Sequence, residues 1–349
     1  MMGGELHCTP IDLRKPGFSS AVDRARMINN RYSSTYRCML CGKCDKGEIV
    51  FHRAYSGESL CRKCFLRSVE DKTARTIARY SMIKHGERVA VGVSGGKDSL
   101  SLLFVLKKMF EKHDNNNELV AITIDEGIRG YRDESLQIVS EFCSQLKVDS
   151  KVFSYKSLFG VDMDEAMSLR PTEKMSSCSI CGTFRRRGID IAAEAVGASA
   201  VATAHNLDDQ LQTFMINLMA GDVERIGWIY PEPVQYASRM KKIKPFIEIY
   251  EHEIAFYALQ SNIPFQSEEC PYMDESIRTD LREFFNRFER DHPGIKYNAY
   301  NSMLKLSKLL RHSSTSTGAR KCSVCGRDST GAICSVCRTV RVLTSNKQI

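Results

Sequence analysis

Through the middle of the chain, short apolar runs rich in Val, Ile and Ala alternate with longer segments of helical period. Val89 to Val93 carries no polar alternation and reads as a strand buried on both faces. It feeds a glycine turn, Ser94-Gly-Gly-Lys-Asp-Ser99, and then the apolar helical run Leu100 to Met109. The same reading predicts strands over Leu119–Asp125, Ser150–Tyr155 and Ala198–Ala204, and a last strand over Lys241–Ile247. Helices are predicted over Asp71–Lys84, Asp133–Leu146, from near Asp164, and over Ile180–Val196 and Leu207–Met219. Three more follow over Tyr250–Ser261, Ser276–Arg290 and Tyr300–Leu310, the last with Leu304, Leu306, Leu309 and Leu310 for packing on the core or a second subunit. Strands alternating with helices predict an α/β fold, a doubly wound parallel sheet. Ligands of such sheets bind at the carboxyl ends of the strands, which gathers Ser94–Ser99, Ile124–Gly127 and Ala204–Asp209 at one edge of the molecule.

With 349 residues the chain exceeds one ordinary domain. The expected organisation is an extension (1–37), a zinc module (38–68), a core (69–265), a helical continuation (266–312), and a linker with a second zinc module (313–349). No apolar run approaches the roughly 20 residues of a membrane span, and the N-terminus lacks a signal-peptide core. A cytoplasmic protein without a membrane partner is expected. The formal charge of +8 is a modest hint of a polyanion such as RNA.

Fourteen cysteines in such a chain read as metal ligands or redox groups rather than disulfides. Cys41/Cys44 with Cys61/Cys64 has the spacing of a four-thiolate zinc site, Gly42 supplying the knuckle turn and Cys38 left spare. A thiol redox pair is the alternative there, and Cys8 is a bystander. Cys322/Cys325 with Cys334/Cys337 forms a tighter second set, ringed by basic residues that suit either RNA contact or a purely structural cap. Cys178/Cys181 opens a helix ahead of Arg185, Arg186 and Arg187, and its partner comes from a distance. Cys270 sits in a turn, whereas Cys143 lies mid-helix and reads as core. Three such cysteines suit a 4Fe-4S cluster with one open iron, or a persulfide carrier with a resolving pair.

The glycine turn offers backbone N–H groups at a helix N-terminus, where phosphate binds. Gly95 and Gly96 allow close approach, Lys97 adds a point charge, and Asp98 stands where magnesium bridging phosphates is held. A Walker A loop does not fit, since Gly92 is one residue too near and Asp98 follows Lys97. Ser94 to Ser99 instead resembles the PP-loop of ATP pyrophosphatases, which implies cleavage of ATP between its α and β phosphates. Ile124 is expected against adenine, with Asp125 and Glu126 toward ribose or metal. Asp208 and Asp209 open a helix that carboxylates cap, and Asp209 is expected to face the phosphates.

Taken together, Ser94–Ser99, Ile124-Asp-Glu-Gly-Ile-Arg-Gly-Tyr-Arg132, Cys178-x-x-Cys181-Gly, His205-Asn-x-Asp-Asp209 and Glu268-Glu-Cys270-Pro resemble the tRNA 2-thiolation enzymes. The wobble-uridine branch is the nearer one, through Arg185–Arg187 and Gly221-Asp222 to Arg225. The resemblance implies ATP bound by Gly92, Val93, Ser94, Asp98, Ile124, Arg185, Ala204 and Asp209, with Gly95, Gly96, Lys97 and Ser99 completing the loop. It implies a cluster on Cys178, Cys181 and Cys270, and chemistry carried by those cysteines with Asp98 and Asp209. The implied reaction adenylates O2 of a tRNA uridine and replaces it with sulfur. Implied partners are tRNA, a sulfur donor (ubiquitin-like carrier, persulfide or sulfide), and a second or related subunit. The T-loop branch, or a PP-loop synthetase acting on a small molecule, is the alternative. Ala204 departs from the family's usual glycine.

Overall fold

The computed structural model of the chain describes residues 40–112, 116–171, 175–232, 240–272, 277–313, 320–329 and 331–345. Cys8, Cys38 and nearly all of the expected linker lie outside them. A hairpin of β1 (Ile49–Arg53) and β2 (Glu58–Cys61) runs directly into helix α1 (Arg62–Arg79). This helix was expected over Asp71–Lys84. It starts earlier because Cys61, at the end of β2, is its N-cap; it stops at Tyr80, after which Ser81 turns left-handed at φ 48°.

The core sheet follows: β3 (Arg88–Gly92), β4 (Glu118–Asp125), β5 (Asp149–Ser154), β6 (Ala200–Ala202) and β7 (Lys241–Ile243). It is parallel throughout, in the order β5-β4-β3-β6-β7. The last strand is shorter than the sequence suggested, because turns closed by the Ile247 N–H on the Lys244 carbonyl and the Ile249 N–H on that of Phe246 replace its second half.

Helices α2 (Lys97–Lys112), α3 (Arg132–Leu146), α4 (Tyr155–Phe159), α5 (Met163–Leu169), α6 (Ser177–Ala195), α7 (Leu207–Met219) and α8 (Val223–Gly227) connect these strands. After the sheet come α9 (Glu251–Gln260), α10 (Ile277–Asp291) and α11 (Ile295–Ser313). A ribbon of β8 (Arg320–Lys321) and β9 (Asp328–Ser329), then α12 (Ser335–Ser345), closes the described chain.

Strand β3 is buried on both faces, as its unbroken apolar run requires. Val89 and Val91 pack into a layer with Leu102 and Leu106 of α2, Phe142 of α3, Phe65 of α1 and Phe256 of α9. Ala90 joins the opposite layer with Val120 and Ile122 of β4, Phe184 and Ala192 of α6, and Val336 and Leu343 of α12. Each small four-cysteine module therefore extends a layer of the main core, the first through Cys41, Phe51 and Leu60, the second through Cys322 and Cys334. Since β3 pairs with β4 on one side and β6 on the other, the chain reverses direction at β3. The crevice beyond the carboxyl ends of β3 and β6 is where such a sheet binds its ligand.

Candidate active site

The glycine turn sits in that crevice. Gly95 has φ +86°, and a Cβ there would lie 2.7 Å from Ser135 Cβ, so only glycine fits. Gly96 has room: its Cβ would meet only Ser94 Oγ, at 3.5 Å. The Ser99 hydroxyl ties the turn together, accepting the Ser94 N–H at 3.1 Å and donating to the Gly96 carbonyl at 3.0 Å. Two further groups fix the loop's carbonyls from outside: Arg132 Nη1 donates to Ser94 O and the Gln266 N–H to Gly95 O, both at 3.0 Å.

Lys97 Nζ lies 2.8 Å from Asp98 Oδ2 and 3.2 Å from Glu251 Oε1. Burial opposes its charge, but the two carboxylates outweigh this and hold it firmly protonated. Asp98 is pushed up by burial, and its Oδ1 is buried with no hydrogen-bond partner among the described residues. Burial also pushes Asp209 up to about 6; the Asn206 amide opposes this, while Asp98, Glu251 and Asp208 add to it. Two crowded carboxylates and an orphaned oxygen make a place that a cation relieves. Asp209 also closes a capping box, accepting the Asn206 N–H at 3.1 Å and donating its own N–H to Asn206 Oδ1 at 3.0 Å. Asp208 instead pairs with the buried Lys296 and accepts the Glu251 N–H at 2.8 Å, which makes it a structural anion between α7, α9 and α11.

The cysteines stand beside this crevice. Cys178 is exposed in the first turn of α6, Cys181 is half-buried one turn on, and Cys270 is half-buried on the segment before α10. That segment is tied to α6 by the Ser177 hydroxyl, which donates to the Tyr272 carbonyl at 2.6 Å. The Cys181 sulfur lies 3.3 Å from Arg185 Nη2 and 3.4 Å from the Tyr155 hydroxyl. Cys270 is pushed up by burial, with Cys181 and Cys178 adding to this and the Tyr272 amide and Arg185 opposing it. The three cysteines are less tightly gathered than the two four-cysteine sets, which alone among the described residues bring all ligand atoms within 4.8 Å.

Glu126 joins the two halves. Its carboxylate is buried, 2.7 Å from Arg132 Nε and 2.9 Å from Arg185 Nη2. A continuous polar chain thus runs from the loop carbonyl of Ser94 through Arg132, Glu126 and Arg185 to the sulfur of Cys181.

A PP-loop domain family matches residues 67–287. Cytoplasmic tRNA 2-thiolation protein 1 of Chlamydomonas reinhardtii is 35% identical over 85% of this chain and 83% of its own. The tRNA 2-thiolation protein NcsA of Haloferax volcanii is 32% identical over 86% of this chain and 98% of its own. The chain belongs to the PP-loop tRNA 2-thiolation family. Among solved structures, the U34-tRNA thiolase NcsA of Methanococcus maripaludis with its 4Fe-4S cluster superposes with a TM-score of 0.75 at 29% identity. It covers 87% of this chain and 96% of that one.

Within this PP-loop fold some expected roles change hands. Glu126 does not face ribose or metal, because both oxygens are taken by arginines. Asp125 Oδ1 accepts the Gly127 N–H at 2.9 Å and shapes the turn. The Ile124 side chain lies on α6, where a Cβ on Gly188 would sit 3.4 Å from its Cδ1, and its carbonyl accepts from Arg132 Nη2 at 3.0 Å. The sequence reading gave no role to Glu251 or Gln266, and offered Lys244 only as one of the basic residues that could follow an RNA backbone. Their only local signal was a polar residue at the end of an apolar element, and their partners lie far away in the chain. Lys244, at the end of β7, is pushed down to about 8 by burial, against the pull of Asp209.

Both four-cysteine sets can hold a metal ion. In the first, Cys44 and Cys61 sulfurs stand 3.8 Å apart. The obligatory glycine there is Gly47 rather than Gly42: a Cβ on Gly47 would lie 2.8 Å from the Cys61 sulfur, whereas Gly42 has ordinary clearance. Burial raises the Cys41 thiol, but backbone groups of Cys61, Lys43 and Cys44 outweigh it and bring it to about 6. Backbone groups of Cys334 and Cys325 bring Cys322 to about 6 likewise, the Cys334 N–H donating to its sulfur at 3.3 Å. The first set is welded to α9 by the buried Arg53–Glu253 pair at 2.6 Å. The second is held on α6 by Arg327 with Glu194 at 2.7 Å.

Proposed function

We propose that this protein is an ATP-dependent tRNA-uridine 2-sulfurtransferase acting on the wobble uridine. The observation that carries the reading is the polar chain from Ser94 to Cys181, which couples an anion-binding loop to a cysteine site on the same sheet end. Backbone N–H groups of Gly95 and Gly96, with Lys97, hold the ATP phosphates, and Arg185 balances charge on the cysteine side. Asp98 and Asp209 would hold magnesium, which supplies charge neutralisation on the phosphates when bound. The uridine O2 attacks the α-phosphorus and pyrophosphate leaves. A sulfur nucleophile then adds at C2, and AMP departs with the original oxygen.

Cys178, Cys181 and Cys270 would hold a 4Fe-4S cluster, which would supply an open iron for sulfur; three thiolate donors, with Arg185 beside Cys181 and the Cys270 segment tied to α6 through Ser177, suit that group. The two four-cysteine sets take zinc as structural ions, in keeping with their four-thiolate chemistry. The sulfur comes from a ubiquitin-like carrier, a persulfide or sulfide, and the protein works in the cytoplasm as a homodimer or with a related subunit. The domain scheme follows the same lines: extension, first knuckle, PP-loop core with its helical continuation, and second knuckle.

Incubation of anaerobically purified protein with tRNA, ATP and sulfide, followed by nucleoside analysis, tests the proposal. Formation of 2-thiouridine with stoichiometric AMP is expected, and its loss in Cys270→Ala with ATP binding retained. AMP release independent of tRNA would overturn it.

A further inference from the structure

Three arginines from three elements gather beside the cysteine site without entering the polar chain. Arg186, one position after Arg185 on α6, lays its guanidinium over Gly182, where a Cβ would come within 3.3 Å of Nη1. Its charged neighbours include Arg225 of α8 and Arg278 of α10. Arg278 also donates to Thr213 Oγ1 at 3.3 Å, and Arg225 lies 3.2 Å from Asp222 on its own turn. All three are exposed. Exposed cations gathered on one face without facing carboxylates of matching number attract an external polyanion.

Helix α8 explains how Arg225 is aimed. Ile226 and Ile229 are buried, and Gly227 touches α11, where a Cβ would come within 3.2 Å of the Arg311 nitrogen. With that side locked, Arg225 and Trp228, three positions apart, project together from the opposite side. Trp228 is the chain's single tryptophan and is 57% exposed. An exposed indole beside a cation cluster is the pairing that single-stranded RNA recognises, phosphates on guanidinium and a base on the ring.

We propose that Arg186, Arg225, Arg278 and Trp228 form a rim that grips the single-stranded nucleotides flanking the target uridine while that base enters the cleft. This rests on the tRNA reading above and assigns the backbone and stacking contacts it leaves open. The Gly221–Arg225 segment and the second arginine of the Arg185–Arg187 run thereby acquire a function.

The lone tryptophan makes the test direct. The full-length protein is titrated with a tRNA anticodon stem-loop at two salt concentrations while Trp228 emission is followed; ATP affinity and melting are recorded alongside. Quenching on RNA addition is expected. Each of Arg186→Ala, Arg225→Ala and Arg278→Ala should weaken RNA binding about 3- to 10-fold and lower the salt slope by about 0.7, as loss of one single-strand phosphate contact does. Trp228→Ala, followed by anisotropy of labelled RNA, should cost about 5- to 150-fold, and Trp228→Phe much less. ATP affinity should not move in any of them.

Unchanged RNA affinity in all four alanine variants, in a protein that still thiolates tRNA, overturns the rim and leaves the function standing. Unchanged RNA affinity with a shift in sedimentation makes this face a subunit contact and equally overturns it. A wild-type protein that binds ATP but neither binds nor thiolates tRNA removes both proposals together.

Discussion

Lys97 and Glu251 meet across the cleft, the ammonium 3.2 Å from Oε1 while it also rests 2.8 Å from Asp98. The phosphate-loop lysine is therefore oriented by a residue more than 150 positions away on another helix. Glu251 in turn lies 3.7 Å from Arg282. Replacing Glu251 by Gln keeps the backbone donor to Asp208 but removes the anion that steers Lys97. The expected result is a rise in KM for ATP of about 5- to 20-fold, equivalent to about 1–2 kcal/mol of lost orientation. Steady-state pyrophosphate release measures it, and an unaltered KM would dismiss the orienting role.

Arg132 serves two strand-end carbonyls and the buried Glu126 at once. Its substitution by Met strips Glu126 of one of two cations, and a loss of about 3–5 kcal/mol in urea unfolding is expected. Adding Glu126→Gln should restore part of that stability without restoring ATP binding, because the loop carbonyl of Ser94 stays unheld. Recovery of both together would mean that Arg132 acts only through Glu126.

The two loop glycines separate folding from binding. Gly95→Ala forces a Cβ into Ser135 at a positive φ and should lower the melting temperature as well as ATP affinity. Gly96→Ala meets nothing closer than 3.5 Å, so it should melt like the parent yet bind ATP at least about 10-fold more weakly, the methyl occupying phosphate space. Equal ATP affinity in Gly96→Ala would place the phosphates elsewhere.

Much of this arrangement is legible in the sequence, for a physical reason. The strand-turn-helix at Val89–Met109 and the four-cysteine spacings are local, and the alternation of strands with helices dictates which strand ends share an edge. What the sequence did not disclose depends on partners far apart in the chain. The fate of Glu126 is decided by Arg132 and Arg185, and that of Asp208 by Lys296, 88 residues downstream. Glu251 looked like an ordinary first-turn acid of a packing helix. The start of α1 was misplaced for the opposite reason: a strand that ends on the helix N-cap leaves no polar gap to mark the boundary.

Lys244 supplies a pH signature. Its folded pKa of about 8 lies below the ordinary value of 10.5, so between these pH values the unfolded chain holds a proton that the folded one has released. Stability must rise with pH across that window, and the full cost of burying the ammonium is present at neutrality. Lys244→Met should raise stability at pH 7 by on the order of 1–3 kcal/mol and abolish this rise. A destabilised variant, or an unchanged pH profile in chemical unfolding, would mean that the lysine is not charged and buried in the folded state.

Metal removal gives a further check. If the Cys322–Cys337 set holds its proposed metal, a chelator should loosen that module and, through the Arg327–Glu194 and Arg187–Asp328 contacts, expose α6. Hydrogen exchange along Ser177–Ala195 should then rise by about tenfold or more, while β3 and β4 stay protected. Unchanged protection of α6 would make the module an independent appendage.

The docking of that second module on α6 also has a bearing on synthesis. Glu194 and its partner Arg327 are 133 residues apart. On the ribosome, the outer flank of the cysteine-bearing helix must wait until that distant segment has emerged. An incompletely made chain would carry Cys178 and Cys181 on a helix that lacks this brace, so full packing of that helix is a late event in the life of the nascent polypeptide.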